Sequence, residues 1–137
     1  MRILAVDYGD ARTGVAASDR MATLVGQTTV ISSRRKDKTL AELCRIVKEW
    51  EAERLVVGLP KNMDGSEGPR AELCREFAAE LQEATGLEVV LWDERRTTVE
   101  AHQILSDHNY HGKKRKNTVD AVAASLILEG YLNSLRR

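Results

Sequence analysis

Short solid apolar runs and longer spaced apolar patterns divide this chain into elements. Ile3, Leu4, Ala5 and Val6 are apolar in succession, and the run ends at Asp7, followed by Tyr8 and Gly9. A run this short, closed by turn residues, predicts a strand over 2–7 that is buried on both faces. TGVAAS (Thr13–Ser18) predicts a second strand, joined to the first through YGDAR as a hairpin. LVGQTTVIS (Leu24–Ser32), rich in Val, Thr and Ile, predicts a third. From about Lys36 to Glu51 the pattern changes: Leu40, Leu43, Val47 and Trp50 recur at helical spacing. RLVVG (Arg54–Gly58) is a fourth strand, and LPKNMDGSEGP is a loop dense in Gly, Pro and Asn. Arg70–Ala84 places Cys74, Phe77, Ala78 and Leu81 on one helical face, with Gly86 positioned to end the helix. EVVLW (Glu88–Trp92) is a fifth strand. Thr97-Thr98-Val99-Glu100 has the form of a capping box that opens a helix to about Asp107. NYHGKKRKN is expected to be a basic loop. A last helix is expected over Thr118–Leu135, with Val122, Leu126 and Leu132 among its apolar positions.

The order βββαβαβαα predicts an α/β fold: a five-stranded mixed sheet with helices packed on it. Right-handed crossovers would make the first, fourth and fifth strands parallel, so their carboxyl ends share one edge. In open α/β sheets that edge is where function sits.

Composition narrows the class. The 137 residues, 42% hydrophobic and 31% charged, fit one domain over 1–137 with a real core. No apolar run is long enough to cross a bilayer, and the amino terminus reads as a strand, not a signal peptide, so no membrane partner is expected. Cys44 and Cys74 fall among apolar neighbours within helical patterns, which predicts two buried free thiols and a cytoplasmic location. With 21 basic and 21 acidic residues the net charge is zero, so bulk charge does not call for a nucleic-acid partner. The basic residues do cluster, at Arg34-Arg35-Lys36, at Arg95-Arg96 and at Lys113-Lys114-Arg115-Lys116. Such clusters gain meaning only if they converge on one face. Aromatic residues are 4%, too few for base-stacking platforms.

The candidate chemistry is acidic. Asp7 ends the first strand, Asp93 and Glu94 end the fifth, and Asp120 is expected in the first turn of the last helix. Each has an ordinary explanation alone: Asp7 as a turn residue, Glu94 as a partner of Arg95, Asp120 as an anion at a helix amino terminus. Gathered on one edge they repel one another, and a cation between them relieves that repulsion. Hard oxygen ligands suit Mg²⁺ or Mn²⁺. Such ions activate water and stabilise the leaving oxygen of a phosphodiester. His102, His108 and His111 lack partners at ligand spacing, and no Cys–His or Ser–His pairing suggests a nucleophile. GLPKNMDGS lacks the Gly-Lys-Ser/Thr of a Walker motif and reads as a wall beside Asp7 or as a plain strand-to-helix turn.

Four stretches, VDYGDARTGVAASD, VVGLPKNMDGSEGP, WDERRTT and NTVDAVAASLILEGYL, span nearly the whole chain in order. In these the chain resembles the YqgF/RuvX family, described as pre-16S rRNA nucleases and Holliday-junction-resolvase homologues with an RNase H-like fold. DYGDARTG is also similar to the phosphate-gripping hairpin of actin-like ATPases, but 137 residues leave no room for their second domain. The family resemblance implies that Asp7, Glu94 and Asp120 are the catalytic, metal-holding acids, with Mg²⁺ or Mn²⁺ as cofactor. Strand alternation sends Asp93 and Glu94 to opposite faces, and the family match favours Glu94. Gly9, Arg12 and Gly14 match the first motif; Gly58, Pro60, Asn62, Gly65 and Ser66 the second, an active-site loop; Arg95, Thr97 and Thr98 the third. Arg96 departs from the aliphatic residue common in the third motif. The implied activity is metal-dependent hydrolysis of RNA in maturation of the 5′ end of pre-16S rRNA. Arg12, Arg95, Lys113, Lys114, Arg115 and Lys116 would then contact backbone phosphates. Two rivals stay open: a resolvase acting on branched DNA, for which a homodimer is natural where an rRNA enzyme could be a monomer, and a non-catalytic factor in ribosome assembly or transcription.

Overall fold

A computed structural model describes residues 1–94 and 112–135, with side chains described outside 112–118. Five strands form one sheet: β1 (Ile3–Asp7), β2 (Arg12–Ser18), β3 (Val25–Ser32), β4 (Arg54–Leu59) and β5 (Val89–Asp93). The helices are α1 (Lys36–Glu49), α2 (Pro69–Thr85) and α3 (Gly112–Leu135). The helix expected from Thr97 to Asp107 lies outside the described residues.

The strand order is β3-β2-β1-β4-β5. β1 pairs antiparallel with β2, and β2 with β3, as the short hairpin connections require. β1 pairs parallel with β4, and β4 with β5, each crossover carrying a helix. The apolar run of β1 is explained by its central place, since a strand covered on both faces needs no polar alternation. Leu4, Val6, Val15, Ala17, Leu55 and Val57 face α1 and α2, meeting Leu43, Ile46, Val47, Phe77, Ala78 and Leu81. Ile3, Ala5, Ala16 and Val56 point the other way, onto Ala124, Ile127, Leu128, Tyr131 and Leu132 of α3. At the carboxyl edge a small cluster of Leu59, Ala71 and Cys74 closes the α2 side.

Three expectations need correction. The basic run Lys113–Lys116 belongs to α3, which begins at Gly112 rather than Thr118. Lys and Arg are good helix formers, and no breaker follows Gly112, so a run of like charge does not by itself end a helix. Asp120 therefore lies more than two turns inside α3 and not in its first turn. The core stripe of α3 also runs through Ala123, Ala124, Ile127, Leu128, Tyr131 and Leu132, leaving Val122 and Leu126 half-buried. Of the two free thiols, Cys74 is buried but Cys44 is only partly so. Among the described residues no helix is long and apolar enough to cross a membrane.

Candidate active site

The carboxyl ends of β1, β4 and β5 do share one edge, and side-chain alternation decides what they present there. Ile3 and Ala5 face α3, so Asp7, two residues on, faces it too. In β5, Val90 and Trp92 pack on the α3 side, which turns Glu94 to that side and Asp93 away. The backbone N–H of Glu94 donates to the Leu59 carbonyl at 3.2 Å, extending the strand pairing one residue past β5. Glu94 is thus in register with the edge that Asp7 terminates.

Two glycines allow the acids to approach. Gly14 stands directly opposite Asp7 in the β1–β2 ladder. A Cβ there would lie 2.0 Å from the carbonyl oxygen of Asp120, so only glycine lets α3 cross β2 at this height. A Cβ on Gly58 would lie 2.3 Å from Glu94 Oε2 and 2.6 Å from Ile127 Cδ1; the missing side chain is the space the carboxylate occupies. Asp120 arrives from the helix above, with Oδ2 accepting a hydrogen bond from Arg12 Nε at 3.1 Å.

The charges respond to this crowding. Burial, then the Asp120 charge, push the Asp7 carboxyl up to about 7, against the opposing pull of Arg70. Burial, then Asp7, raise Glu94 to about 8, with Arg70 again opposing and Asp93 adding. Burial raises Asp120 as well, while Arg12 holds it down. Glu94 Oε2 is buried with no hydrogen-bond partner among the described residues. A buried lone pair left without a donor is costly. Asp7 is flanked by Glu94 and by Asp120. Among the described residues, however, no three carboxylate, imidazole or thiol groups stand close enough to enclose an ion. Asp120 is instead drawn onto Arg12.

The expected loop follows β4. Asn62 N–H donates to the Ser66 carbonyl at 2.8 Å, and Gly65 N–H to the Asn62 carbonyl at 2.8 Å. Asn62 Nδ2 donates to Ser66 Oγ at 3.0 Å, and the Ser66 N–H and hydroxyl both donate to Asp64 Oδ1. Gly65 takes a positive φ of 90°. Pro60 leads into this tight loop, and Gly9 sits in the β1–β2 turn beside it in the edge. Lys113, Lys114, Arg115 and Lys116 occupy the first turns of α3, on the same helix as Asp120. Arg95, Thr97 and Thr98 lie outside the described residues.

One cation in the site escaped sequence reasoning. Arg70, in the first turn of α2, donates to the Tyr8 carbonyl and, at 2.7 Å, to Asp10 Oδ1. The available signal was its position: a cation in the first turn of a helix opposes the helix dipole and needs a reason to be there.

A mixed sheet led by antiparallel strands, with acids collected at its carboxyl edge under a crossing helix, defines an RNase H-like fold. Solved structures agree on the fold. The Thermus thermophilus RuvC bound to a Holliday junction superposes with a TM-score of 0.64 at 10% identity, covering 99% of this chain and 96% of that one. The fowlpox virus resolvase with junction DNA gives 0.60 at 12% identity over the whole of both chains. Residues 1–134 match the family described as "RuvX: Holliday junction resolvase", and the chain belongs to that family. A Halothermothrix orenii protein named "Putative pre-16S rRNA nuclease" is 46% identical over 133 residues, covering 97% of this chain and 95% of its own. A Bacillus cytotoxicus protein of the same name is 45% identical over 136 residues, covering 98% and 99%. The family is one of nucleases, enzymes that hydrolyse phosphodiesters.

Proposed function

We propose that this chain is a metal-dependent endonuclease that cuts RNA, acting as one domain in the cytoplasm in maturation of the 5′ end of pre-16S rRNA. The curated relatives' names favour rRNA as substrate. The observation that carries the metal is the buried Glu94 Oε2, without a hydrogen-bond partner among the described residues, beside an Asp7 whose ionisation burial and Asp120 resist. An all-oxygen donor set of Asp7, Glu94 and Asp120 fits Mg²⁺ or Mn²⁺. When bound, the ion supplies an activated water and stabilises the leaving oxygen. Asp7 is the shared ligand, because Asp120 raises its carboxyl and Asp7 in turn raises that of Glu94. Glu94 brings an oxygen already desolvated, and Asp120 joins when it leaves Arg12. Arg12, so freed, meets a backbone phosphate, and Arg95 with Lys113, Lys114, Arg115 and Lys116 extends that contact along the strand.

The test is cleavage of precursor rRNA by the purified chain with and without Mg²⁺ or Mn²⁺, beside Asp7→Asn. Cutting that needs the ion and vanishes in the variant is expected; equal cutting by the variant overturns the three-carboxylate mechanism. A second reading, resolution of branched DNA, is favoured by the description of the family. It would require two active sites and hence a homodimer, whereas trimming of rRNA requires one. Cleavage of a four-way junction against linear precursor RNA, at matched salt, separates the two.

A further inference from the structure

Arg70 is held as few surface arginines are. Its guanidinium carbon lies 5.3 Å from the centre of the Tyr8 ring. That ring is itself stacked on Phe77, 3.9 Å between centroids and 9° from parallel. Phe77 is fully buried, so the platform under the guanidinium is anchored in the core. One Arg70 nitrogen, Nη2, donates to the carbonyl of Tyr8, the residue directly after Asp7. The other, Nη1, is taken by Asp10, whose side chain is 80% exposed. The two ends of the fork therefore differ: one is committed to the fold, the other to a partner standing in solvent.

Arg70 also stands where an acidic site needs a cation. Its charge favours the ionised forms of both Asp7 and Glu94, yet it makes no ion pair with either. It lies on the α2 side of the edge, across the sheet from the α3 side to which Asp7 and Glu94 turn, and its charge still reaches both. An exposed carboxylate–guanidinium contact is worth little and is readily exchanged. A backbone phosphodiester offers the guanidinium two anionic oxygens with the same single charge, and Arg is the side chain suited to it.

We propose that Arg70 is a substrate-binding residue of this active site, in which a backbone phosphate of the nucleic acid displaces Asp10 from Nη1 while the Tyr8 carbonyl and the Tyr8–Phe77 stack keep the guanidinium in place. This rests on the nuclease reading above and adds to it a specific phosphate contact. The fixed geometry sets the distance between that phosphate and the carboxylates, and so helps to choose which bond is presented to them.

The experiment measures binding, not turnover. A fluorescein-labelled RNA is titrated with the full chain in EDTA at several salt concentrations, and log affinity is plotted against log salt. Each phosphate contact to a single strand contributes about 0.7 to that slope. Arg70→Gln is expected to weaken binding and flatten the slope by about that amount. Arg70→Lys keeps the charge and is expected to keep the slope while binding several-fold more weakly. Asp10→Asn is expected to tighten binding in the parent background and to do nothing in an Arg70→Gln background. A parent slope retained by Arg70→Gln, or an Asp10→Asn effect that persists without Arg70, overturns the proposal and leaves the nuclease reading standing. Should Arg70→Gln not fold, Arg70→Lys and Asp10→Asn decide: parent affinity in both overturns it. No binding by the parent itself removes the nucleic-acid reading as well.

Discussion

The two faces of the sheet are built from different materials. Toward α1 and α2 the strands present Leu4, Val6, Val15, Leu55 and Val57, which meet Leu43, Ile46 and Phe77. Toward α3 they present Ile3, Ala5, Ala16 and Val56, with Gly14 and Gly58 toward the carboxyl edge, and the helix answers with Ala124, Ile127, Leu128, Tyr131 and Leu132. At the carboxyl edge of the second face the glycines let α3 approach until the Asp120 backbone rests on Gly14. The first face contributes burial at about 25 cal/mol per Å² of apolar surface. The second holds Asp7 and Glu94 at the edge, buried carboxyls whose ionisation burial resists. One sheet thus divides stability and chemistry between its sides.

Substitutions should separate the two roles. The largest effect is expected for Asp7→Asn, on the chemical face. Loss of a shared metal ligand should lower cleavage by about 10³-fold, several kcal/mol of transition-state stabilisation, while urea unfolding shows a chain no less stable than the parent. On the other face, Leu43→Ala should cost about 2–5 kcal/mol of stability, because Leu43 is wholly buried. Single-turnover rates below its unfolding midpoint should match the parent; a lowered rate would show that the faces are not separate. Gly14→Ala should blur the distinction. Its Cβ meets backbone, not a flexible side chain, so α3 must shift, costing about 1–3 kcal/mol and cleavage together. Gly26→Ala in β3, where the nearest heavy atom would be 3.5 Å away, is the control that should lose neither.

The face toward α1 and α2 was the legible one. Leu43, Val47, Phe77, Ala78 and Leu81 follow from helical spacing, and the strands from solid apolar runs, since burial on both sides leaves a direct mark on composition. Asp7 was visible as a charge closing such a run. Glu94 needed the strand register: alternation could say only that Asp93 and Glu94 part, and the packing of Val90 and Trp92 on α3 shows which turns inward. The start of α3 was missed because a run of lysines and arginines resembles a loop in composition though each residue favours helix. Arg12–Asp120 spans 108 residues and Arg70–Tyr8 spans 62, and contacts at such separation are set by topology, not by local pattern. Small residues carry the least local signal of all: Gly14 and Gly58 acquire meaning only when the helix and carboxylate that fill their space are in place.

Dependence on pH tests the comparison most directly. In the folded chain Asp7 is pushed up to about 7 and Glu94 to about 8, from ordinary values of 3.8 and 4.5. Below about 3 both are protonated, folded or unfolded, and the native state bears no penalty. As pH rises the unfolded chain releases these protons first while the folded chain keeps them. Stability must therefore fall through the interval and level off once the folded groups ionise, near pH 8. Each retained proton contributes about 1.4 kcal/mol per pH unit. Asp7→Asn removes one group and also the charge that raises the other, so its stability should change less between pH 5 and 8 and exceed the parent's most at the alkaline end. Leu43→Ala should run below the parent and parallel to it, since nothing on that face titrates with it. Urea midpoints in EDTA across this range check the three curves. Mg²⁺ added at pH 8 should restore the parent, by binding only the folded state, and leave Asp7→Asn where it was. Parallel curves for all three chains would mean that the acids at the edge are not held against their own charge.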